Sequence, residues 1–165
     1  AKRNLGTSKD MAKLTIALGP GFCAGKDVDY VIETKRGHQL GRVIAQGSAL
    51  PNTGVPGVIA GYGAQRVIHA PADGPIQVRS QIGSVVKQGQ TLAVIGADSI
   101  SVPATLDGVL RGIIRDGFAV KKGLKIADID PRIEEKENCT TISDKARCIA
   151  GGVLEVLVKN GIYKS

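Results

Sequence analysis

An internal repeat in the middle of the chain limits the folds that this sequence can adopt. Residues 66–96 and 100–130 align without a gap at an offset of 34, with nine identities in 31 positions. Both copies carry an Asp-Gly turn signal, at 73–74 and at 107–108, and later glycines at the same phase. The apolar runs between these glycines are too short to bury a face alone. The repeat therefore predicts two copies of a small β unit that pack about a pseudo-two-fold axis into a flattened barrel.

The pattern of the two copies, x-x-A/P-x-D-G-x-(8)-G-x-x-V-x-x-G, resembles the biotinyl/lipoyl-like, or barrel-sandwich hybrid, fold. In carrier members of that fold, the lysine that bears the cofactor lies on the hairpin between the two halves. Here that hairpin is 96–99, and it contains no lysine. Lys87 and Lys121 recur in both copies, but they lie in the turn before the next glycine. The resemblance therefore implies the fold without the function of a biotin or lipoyl carrier.

Composition narrows the classes of protein that this chain can be. Its 165 residues are 42% hydrophobic, and no uninterrupted apolar stretch approaches the ~18 residues of a transmembrane helix. The N-terminus shows no apolar segment of the kind found in signal peptides. These features predict a globular, cytoplasmic protein that does not enter a membrane.

The excess of positive charge is small and spread along the chain. The net charge is +7, of which +4 falls in residues 1–65, +2 in 66–130 and +1 in 131–165. A nucleic-acid-binding face is usually denser in basic residues, and aromatic residues make up only 3% of this chain, which leaves few rings for bases to stack on. The composition therefore predicts no nucleic-acid partner.

Three cysteines, Cys23, Cys139 and Cys148, form no C-x-x-C pair. An odd number of cysteines fits a reducing compartment. Their spacing predicts neither a disulfide framework nor a metal site, and the sequence identifies no cofactor.

A buried strand at 14–18 leads into a glycine-rich turn at 19–25. Such a turn can hold a phosphate through its backbone N–H groups, and Gly19, Gly21 and Gly25 are the candidate ligand-binding residues. Pro20 removes one donor, and the spacing matches no standard phosphate-binding motif. A tight structural connection is the alternative interpretation, and both stay open at this point.

The second strand, 28–34, leads into the segment of the chain with the most side chains suited to catalysis or ligand binding. Glu33, Arg36 and His38 place a carboxylate, a guanidinium and an imidazole at a strand end, where ligands often bind in α/β sheets. His38 is the candidate acid–base group, with Glu33 orienting it, and Arg36 is a candidate anion ligand. These residues alternatively tie down a loop.

Two further segments flank this region. Asn52 is a candidate ligand-binding residue in the turn-rich stretch 50–57, which is interpreted as a linker or a lid. The basic stretch 2–9 is interpreted as a solvated terminus, with anion binding as the alternative.

The end of the chain has the signals of a helix. Ser143 is a suitable N-cap, and the residues 159–161 supply a stop. Gly151 and Gly152 inside the helix cost roughly 1 kcal/mol each relative to alanine, which favours a close backbone neighbour. We therefore expect the helix to pack tightly on residues 1–45, and we expect Gly151→Leu to be destabilising.

Several stretches together resemble one family over nearly the whole chain. They include "AKRNLGTSKDMA", "LGPGF-AG-DV", "VIET-RGH-LG-V" and "TISDKA---GGVLE". These look like the YqeB-type accessory proteins, which are linked with selenium-dependent molybdenum hydroxylases. The resemblance implies that residues 1–45 are the last strands of a Rossmann-like α/β portion that begins earlier in full-length members.

The sequence thus predicts a mainly β chain. Residues 1–62 form an α/β, Rossmann-like remnant, 63–131 a duplicated barrel-sandwich hybrid, and 132–165 a linker and C-terminal helix. The resemblance implies an accessory protein that binds a molybdenum hydroxylase, one of its maturation factors, or a small anionic cofactor precursor. The alternative is an enzyme that acts on that precursor with His38 and Glu33. The oligomeric state stays open.

Overall fold

The computed structural model describes residues 4–52 and 57–162, and they form a mainly β structure with one α-helix. The chain divides into two compact units. Residues Ala1–Gly54 and Ile142–Ser165 make up one, called here the terminal unit, and Val55–Thr141 makes up the other, called the repeat unit. This confirms the predicted mainly β class with a C-terminal helix. Within the described residues no helix has the length and apolar character needed to cross a membrane.

The terminal unit is a three-stranded sheet with one helix. Its elements are β1 (Ile16–Leu18), β2 (Tyr30–Ile32), β3 (Val43–Ile44) and α1 (Asp144–Lys159), with a short 3₁₀ turn at Lys9–Met11. The strand order is β1-β2-β3, with β1 parallel and β3 antiparallel to β2. Helix α1 contacts β2 and β3. The fully buried Val31 joins one small core, made with Ala17, Ala24, Val28 and Ala49.

The repeat unit contains eight strands and two 3₁₀ segments. The strands are β4 (Val67–His69), β5 (Gly74–Val78), β6 (Val85–Val86), β7 (Thr91–Ile95), β8 (Ile100–Pro103), β9 (Gly108–Ile113), β10 (Ala119–Val120) and β11 (Lys125–Asp130), and the 3₁₀ segments are Ala64–Arg66 and Ile133–Thr140. They form two four-stranded sheets, in the orders β10-β5-β7-β8 and β4-β11-β9-β6. Strands β4–β7 come from the first copy of the repeat and β8–β11 from the second.

The two copies exchange strands. The counterparts in the two copies are β4 and β8, β5 and β9, β6 and β10, and β7 and β11. Replacing every strand in the order β10-β5-β7-β8 by its counterpart gives β6-β9-β11-β4, which is the order of the other sheet read in reverse. Each sheet therefore contains two strands from each copy. One core lies in this unit and draws on both copies, with Ile76, Ile95, Leu110 and Ile129 wholly buried.

Matching positions of the repeat have matching surroundings. A Cβ added to Gly74 would lie 3.0 Å from the Cα of Gly96, and one added to Gly108 would lie 2.2 Å from the carbonyl oxygen of Asp130, which is the counterpart of Gly96. Both glycines have a positive φ. The described strands of the two sheets nevertheless do not close into a barrel, because β8 and β10 end one sheet and β4 and β6 end the other.

The recurring lysines join the two copies to each other. Lys87 pairs with Asp107 of the second copy at 3.0 Å, and Lys121 pairs with Asp73 of the first copy at 3.0 Å. Each aspartate also accepts a 2.7 Å hydrogen bond from the backbone N–H of the residue after the lysine. The two lysines therefore recur because each makes the same contact with the aspartate of the other copy. We call this contact the Lys–Asp clamp.

The close approach of helix α1 to the sheet is at Gly152. A Cβ on Gly152 would lie 2.2 Å from the carbonyl oxygen of Gly41 and 3.0 Å from Cγ2 of Ile32, whereas a Cβ on Gly151 would meet no atom within 4 Å. The expectation that Gly151 is the tightly packed position is therefore wrong. Adjacent helix residues point about 100° apart, so only one of the pair can face the sheet.

A matched pair of substitutions tests the packing of the repeat unit. We expect Gly108→Ala to lower the free energy of unfolding by about 3 kcal/mol, because its new Cβ would overlap the Asp130 carbonyl at a strained φ. Gly117→Ala, with a positive φ but open space, should cost only about 1 kcal/mol. Urea unfolding measures both, and equal losses would contradict the close approach.

Helix α1 offers a second matched pair. Gly151→Ala should raise the free energy of unfolding by about 1 kcal/mol, because alanine favours the helix and meets no neighbour. Gly152→Ala should lower it by about 2 kcal/mol, because the methyl group would force the helix away from Gly41. Thermal or urea unfolding compares the two, and changes of the same sign would refute this account of the helix.

Candidate functional site

The candidate acid–base pair does not assemble. Glu33 follows β2, and only 2% of the residue is exposed. Its Oε1 accepts hydrogen bonds from the backbone N–H groups of Thr34 and Lys35, and its Oε2 accepts one from Leu50, each at 2.8 Å. His38 is exposed, and within residues 4–52 and 57–162 its ring makes no hydrogen bond. The structure therefore does not bring these two side chains together.

The surroundings of Glu33 keep its carboxylate ionised. Burial by itself would raise its pKa, but the hydrogen bonds from the backbone of Leu50, Lys35 and Thr34 outweigh burial and hold the pKa below its usual value. An ionised carboxylate with both oxygens occupied is a weak proton acceptor. Glu33 instead fixes the segment around Leu50 to the end of β2.

Four backbone donors of the glycine-rich turn are already hydrogen-bonded within the protein. The N–H of Gly19 donates to Ile32, that of Gly25 donates to Val28, and that of Ala24 donates to Gly47, at 2.7–2.8 Å. The N–H of Cys23 donates to the carboxylate of Asp27 at 2.9 Å, which closes the turn. These groups are therefore not available to a phosphate, and the geometry is that of a structural connection. Gly21, the remaining candidate of this turn, has a φ of +103°.

The remaining two candidates are Arg36 and Asn52. The Arg36 guanidinium forms two hydrogen bonds with Asp144 in the first turn of α1, at 2.6 and 3.0 Å. This pairing holds the pKa of Asp144 well below its usual value. Asn52 is exposed at the edge of the described residues. The proposed lid residues 53–56 and the basic residues 2–3 lie outside the described part of the chain.

One cavity of the terminal unit is a groove beside β3. It has a volume of about 450 Å³. Its lining residues are Glu33, Gln39, Arg42, Val43, Ile44, Ala45, Gln46, Ser48 and Leu50. Of the candidate site residues, only Glu33 lines it. We call it the β3 groove.

Among the residues that the structure describes, Arg42 is the one cation that lines the β3 groove. Its Nη1 donates to Oε1 of Gln39 at 2.6 Å, which orients the guanidinium. Among the described residues no carboxylate pairs with it. Arg42 was not predicted as a site residue because β3 is only two residues long, too short to show a strand pattern in the sequence. The antiparallel return of the chain after the turn at 37–41 is the signal that could have found it.

A smaller cavity of about 200 Å³ lies at the other end of this sheet, beside Lys13, Asp29, Tyr30 and Asn160. Its carboxylate is already occupied, because Asp29 accepts hydrogen bonds from the N–H and hydroxyl of Thr15 and pairs with Lys9. The described residues hold no cluster of three or more His, Cys, Asp or Glu placed to bind a metal ion.

Comparison with known proteins identifies one close relative. No protein-family model matches the chain. It is 56% identical over 158 residues to the uncharacterized protein YqeB of Escherichia coli (strain K12), and the match covers 96% of this chain and 29% of YqeB. This identity supports the family that the motifs resemble, and the chain spans less than a third of that relative.

Two solved structures resemble the chain weakly. An aspartoacylase family protein from Mesorhizobium loti matches with a TM-score of 0.36 and 18% identity, over 52% of this chain and 32% of that protein. The ectoine utilization protein EutE (DoeB) from Ruegeria pomeroyi matches with a TM-score of 0.35 and 18% identity, over 52% and 27% of the two chains. Scores this low carry no argument about fold or function.

The role of Glu33 is testable by pH. We expect Glu33→Gln to cost about 2 kcal/mol of unfolding free energy at pH 7, because an amide NH₂ would face a backbone N–H. A lowered folded-state pKa makes the carboxylate stabilising above its unfolded pKa of about 4.3, and this contribution is lost as the pH falls through the lower folded-state value.

The difference in unfolding free energy between the parent protein and Glu33→Gln, measured by urea unfolding, should therefore shrink towards pH 3. The exposed His38 supplies a control, since His38→Ala should change stability by less than about 0.5 kcal/mol. A Glu33→Gln difference that stays constant from pH 7 to pH 3 would contradict an ionised, stabilising carboxylate.

Proposed function

We propose that this chain is a binding module of a cytoplasmic accessory protein that matures a selenium-dependent molybdenum hydroxylase. In this proposal the module binds the hydroxylase, one of its maturation factors, or a small anionic cofactor precursor. The 56% identity to part of YqeB supports the family on which the proposal rests. Because the chain covers 29% of that relative, the proposal concerns what this module contributes.

One observation favours binding over catalysis. Two of the three polar side chains at the end of β2 are occupied by structural contacts, since three backbone N–H groups hold Glu33 and Asp144 holds Arg36. The β3 groove, by contrast, contains a cation without a carboxylate partner among the described residues. For the alternative, an enzyme that uses His38 and Glu33 on the precursor, the described residues offer no supporting geometry.

The same proposal assigns the repeat unit to the barrel-sandwich hybrid class. The exchange of strands between the two copies supports this, because each copy contributes two strands to each sheet. The hairpin between the copies, 96–99, offers no lysine for a biotinyl or lipoyl group. The unit then serves as a rigid scaffold and not as a swinging carrier.

Binding to a purified hydroxylase tests the proposal. We expect the immobilised chain to bind a selenium-dependent molybdenum hydroxylase in its cofactor-free form at least about tenfold more tightly than the loaded form. A molybdenum hydroxylase that lacks selenium is the matched control and should not bind. Biolayer interferometry measures each affinity.

Equal binding of all three enzymes, or binding of none, would overturn the hydroxylase assignment. The His38→Ala variant should bind the hydroxylase with the parental affinity. Loss of binding in that variant would place the binding site at the end of β2. Intact mass should equal the sequence mass, since the hairpin offers no lysine to modify.

A further inference from the structure

Strand β3 has one edge without a partner strand among residues 4–52 and 57–162. In the sheet order β1-β2-β3 it is the last strand, and within those ranges it pairs with β2 alone. Ile44 lies opposite Val31, and the N–H of Glu33 donates to the carbonyl of Arg42. Because hydrogen-bonding direction alternates along an antiparallel strand, this register points the N–H and C=O groups of Val43 away from β2.

A second segment of the chain lines the same groove. The chain returns beside β3 through residues 46–50, whose exposed side chains include Gln46 and Ser48. Two contacts hold this return, since Gly47 and Ala24 exchange backbone hydrogen bonds and the N–H of Leu50 donates to Glu33. The β3 groove is thus lined by strand β3 and by a segment whose position is fixed.

The charge of the terminal unit selects the partner. The sequence ranges of this unit contain 12 basic and 6 acidic residues, a net charge of +6, whereas the repeat unit contains 10 and 9, a net charge of +1. Within the groove, Arg42 is oriented by Gln39 and has no carboxylate partner among the described residues. An acidic partner complements the net charge of the unit, and one of its carboxylates complements Arg42.

We propose that the β3 groove binds an extended acidic peptide segment of a partner protein, which adds a fourth strand to the sheet. Its backbone pairs with the outward N–H and C=O groups of Val43, and a carboxylate of the segment pairs with Arg42. The proposal rests on the proposed function only in taking this chain as a binding module.

A free anion suits the groove less well than a peptide does. The ionised carboxylate of Glu33 lines the same groove as Arg42, so the two charges leave it close to neutral for a small ion. An extended segment places one carboxylate at Arg42 and passes the rest of the groove with uncharged backbone. Its affinity then comes from main-chain hydrogen bonds as well as from charge.

Titration of the ¹⁵N-labelled chain with blocked hexapeptides tests the proposal. The probes are an alternating Glu-Val peptide, its Lys-Val counterpart, and the Glu-Val peptide N-methylated at its central residues. We expect saturable amide shifts between residues 42 and 48 with the Glu-Val peptide, and at least about tenfold weaker binding of the other two. Glutamate and inorganic phosphate, as free-anion probes, should cause no saturable shift there.

Three outcomes overturn the proposal. They are saturable shifts mapped elsewhere or none at all, equal binding of the N-methylated peptide, and reproduction of the shifts by phosphate or glutamate. The hydroxylase assay is independent of these peptides. Hydroxylase binding without peptide binding would refute the strand addition and leave the proposed function standing. Peptide binding without hydroxylase binding would support the strand addition and refute the hydroxylase assignment.

Two substitutions and a control sharpen the result. Val43→Pro removes only an outward N–H, which edge strands tolerate, and should weaken Glu-Val binding at least about tenfold. Arg42→Gln should weaken it about tenfold and abolish the preference over Lys-Val. Arg79→Gln, an exposed arginine of the repeat unit, should change the affinity by less than about twofold.

Binding of both variants at the parental affinity would refute the proposal. If Val43→Pro does not fold, the N-methylated peptide interrupts the same hydrogen bonds from the other side of the interface.

Discussion

Backbone pairing between the two copies of the repeat is the constraint on which the larger unit depends. Each sheet places strands of one copy beside strands of the other, and the buried side chains of both copies form a single core. The contact is tight enough at Gly108 that no side chain fits there. The Lys–Asp clamps at the surface repeat the same exchange, but they lie in water and add little to it.

In the terminal unit the corresponding constraint is one buried charge. Glu33 joins the end of β2 to the segment that returns beside β3, and three backbone donors compensate for its burial. This carboxylate holds the segment around Leu50, which lines the β3 groove. A residue that first suggested acid–base chemistry therefore has a structural role.

The repeat was predictable because glycine positions depend on local backbone geometry. The Asp-Gly turns and the offset of 34 therefore predicted two equivalent copies, and Gly74 and Gly108 have equivalent surroundings. The role of Lys87 was not predictable, because its partner Asp107 is distant in sequence and becomes a neighbour only through strand exchange.

The same limit applied to the candidate site. The spacing of Glu33, Arg36 and His38 predicted a cluster. In the structure, however, Glu33 accepts hydrogen bonds from three backbone N–H groups, and Arg36 pairs with Asp144, over a hundred residues away. Long-range contacts of this kind leave no periodicity in a sequence. Composition and spacing therefore identified the polar strand end but not the groove beside it.

Strand exchange also bears on how such a unit arises. A single copy could not complete either sheet, because half of the strands in each come from the other copy. Two separate copies could complete both sheets as a symmetric dimer, and joining them head to tail through the hairpin at 96–99 would yield the present unit as one chain. The fused form removes the dependence of folding on concentration, and afterwards each half is free to change its surface without the other following.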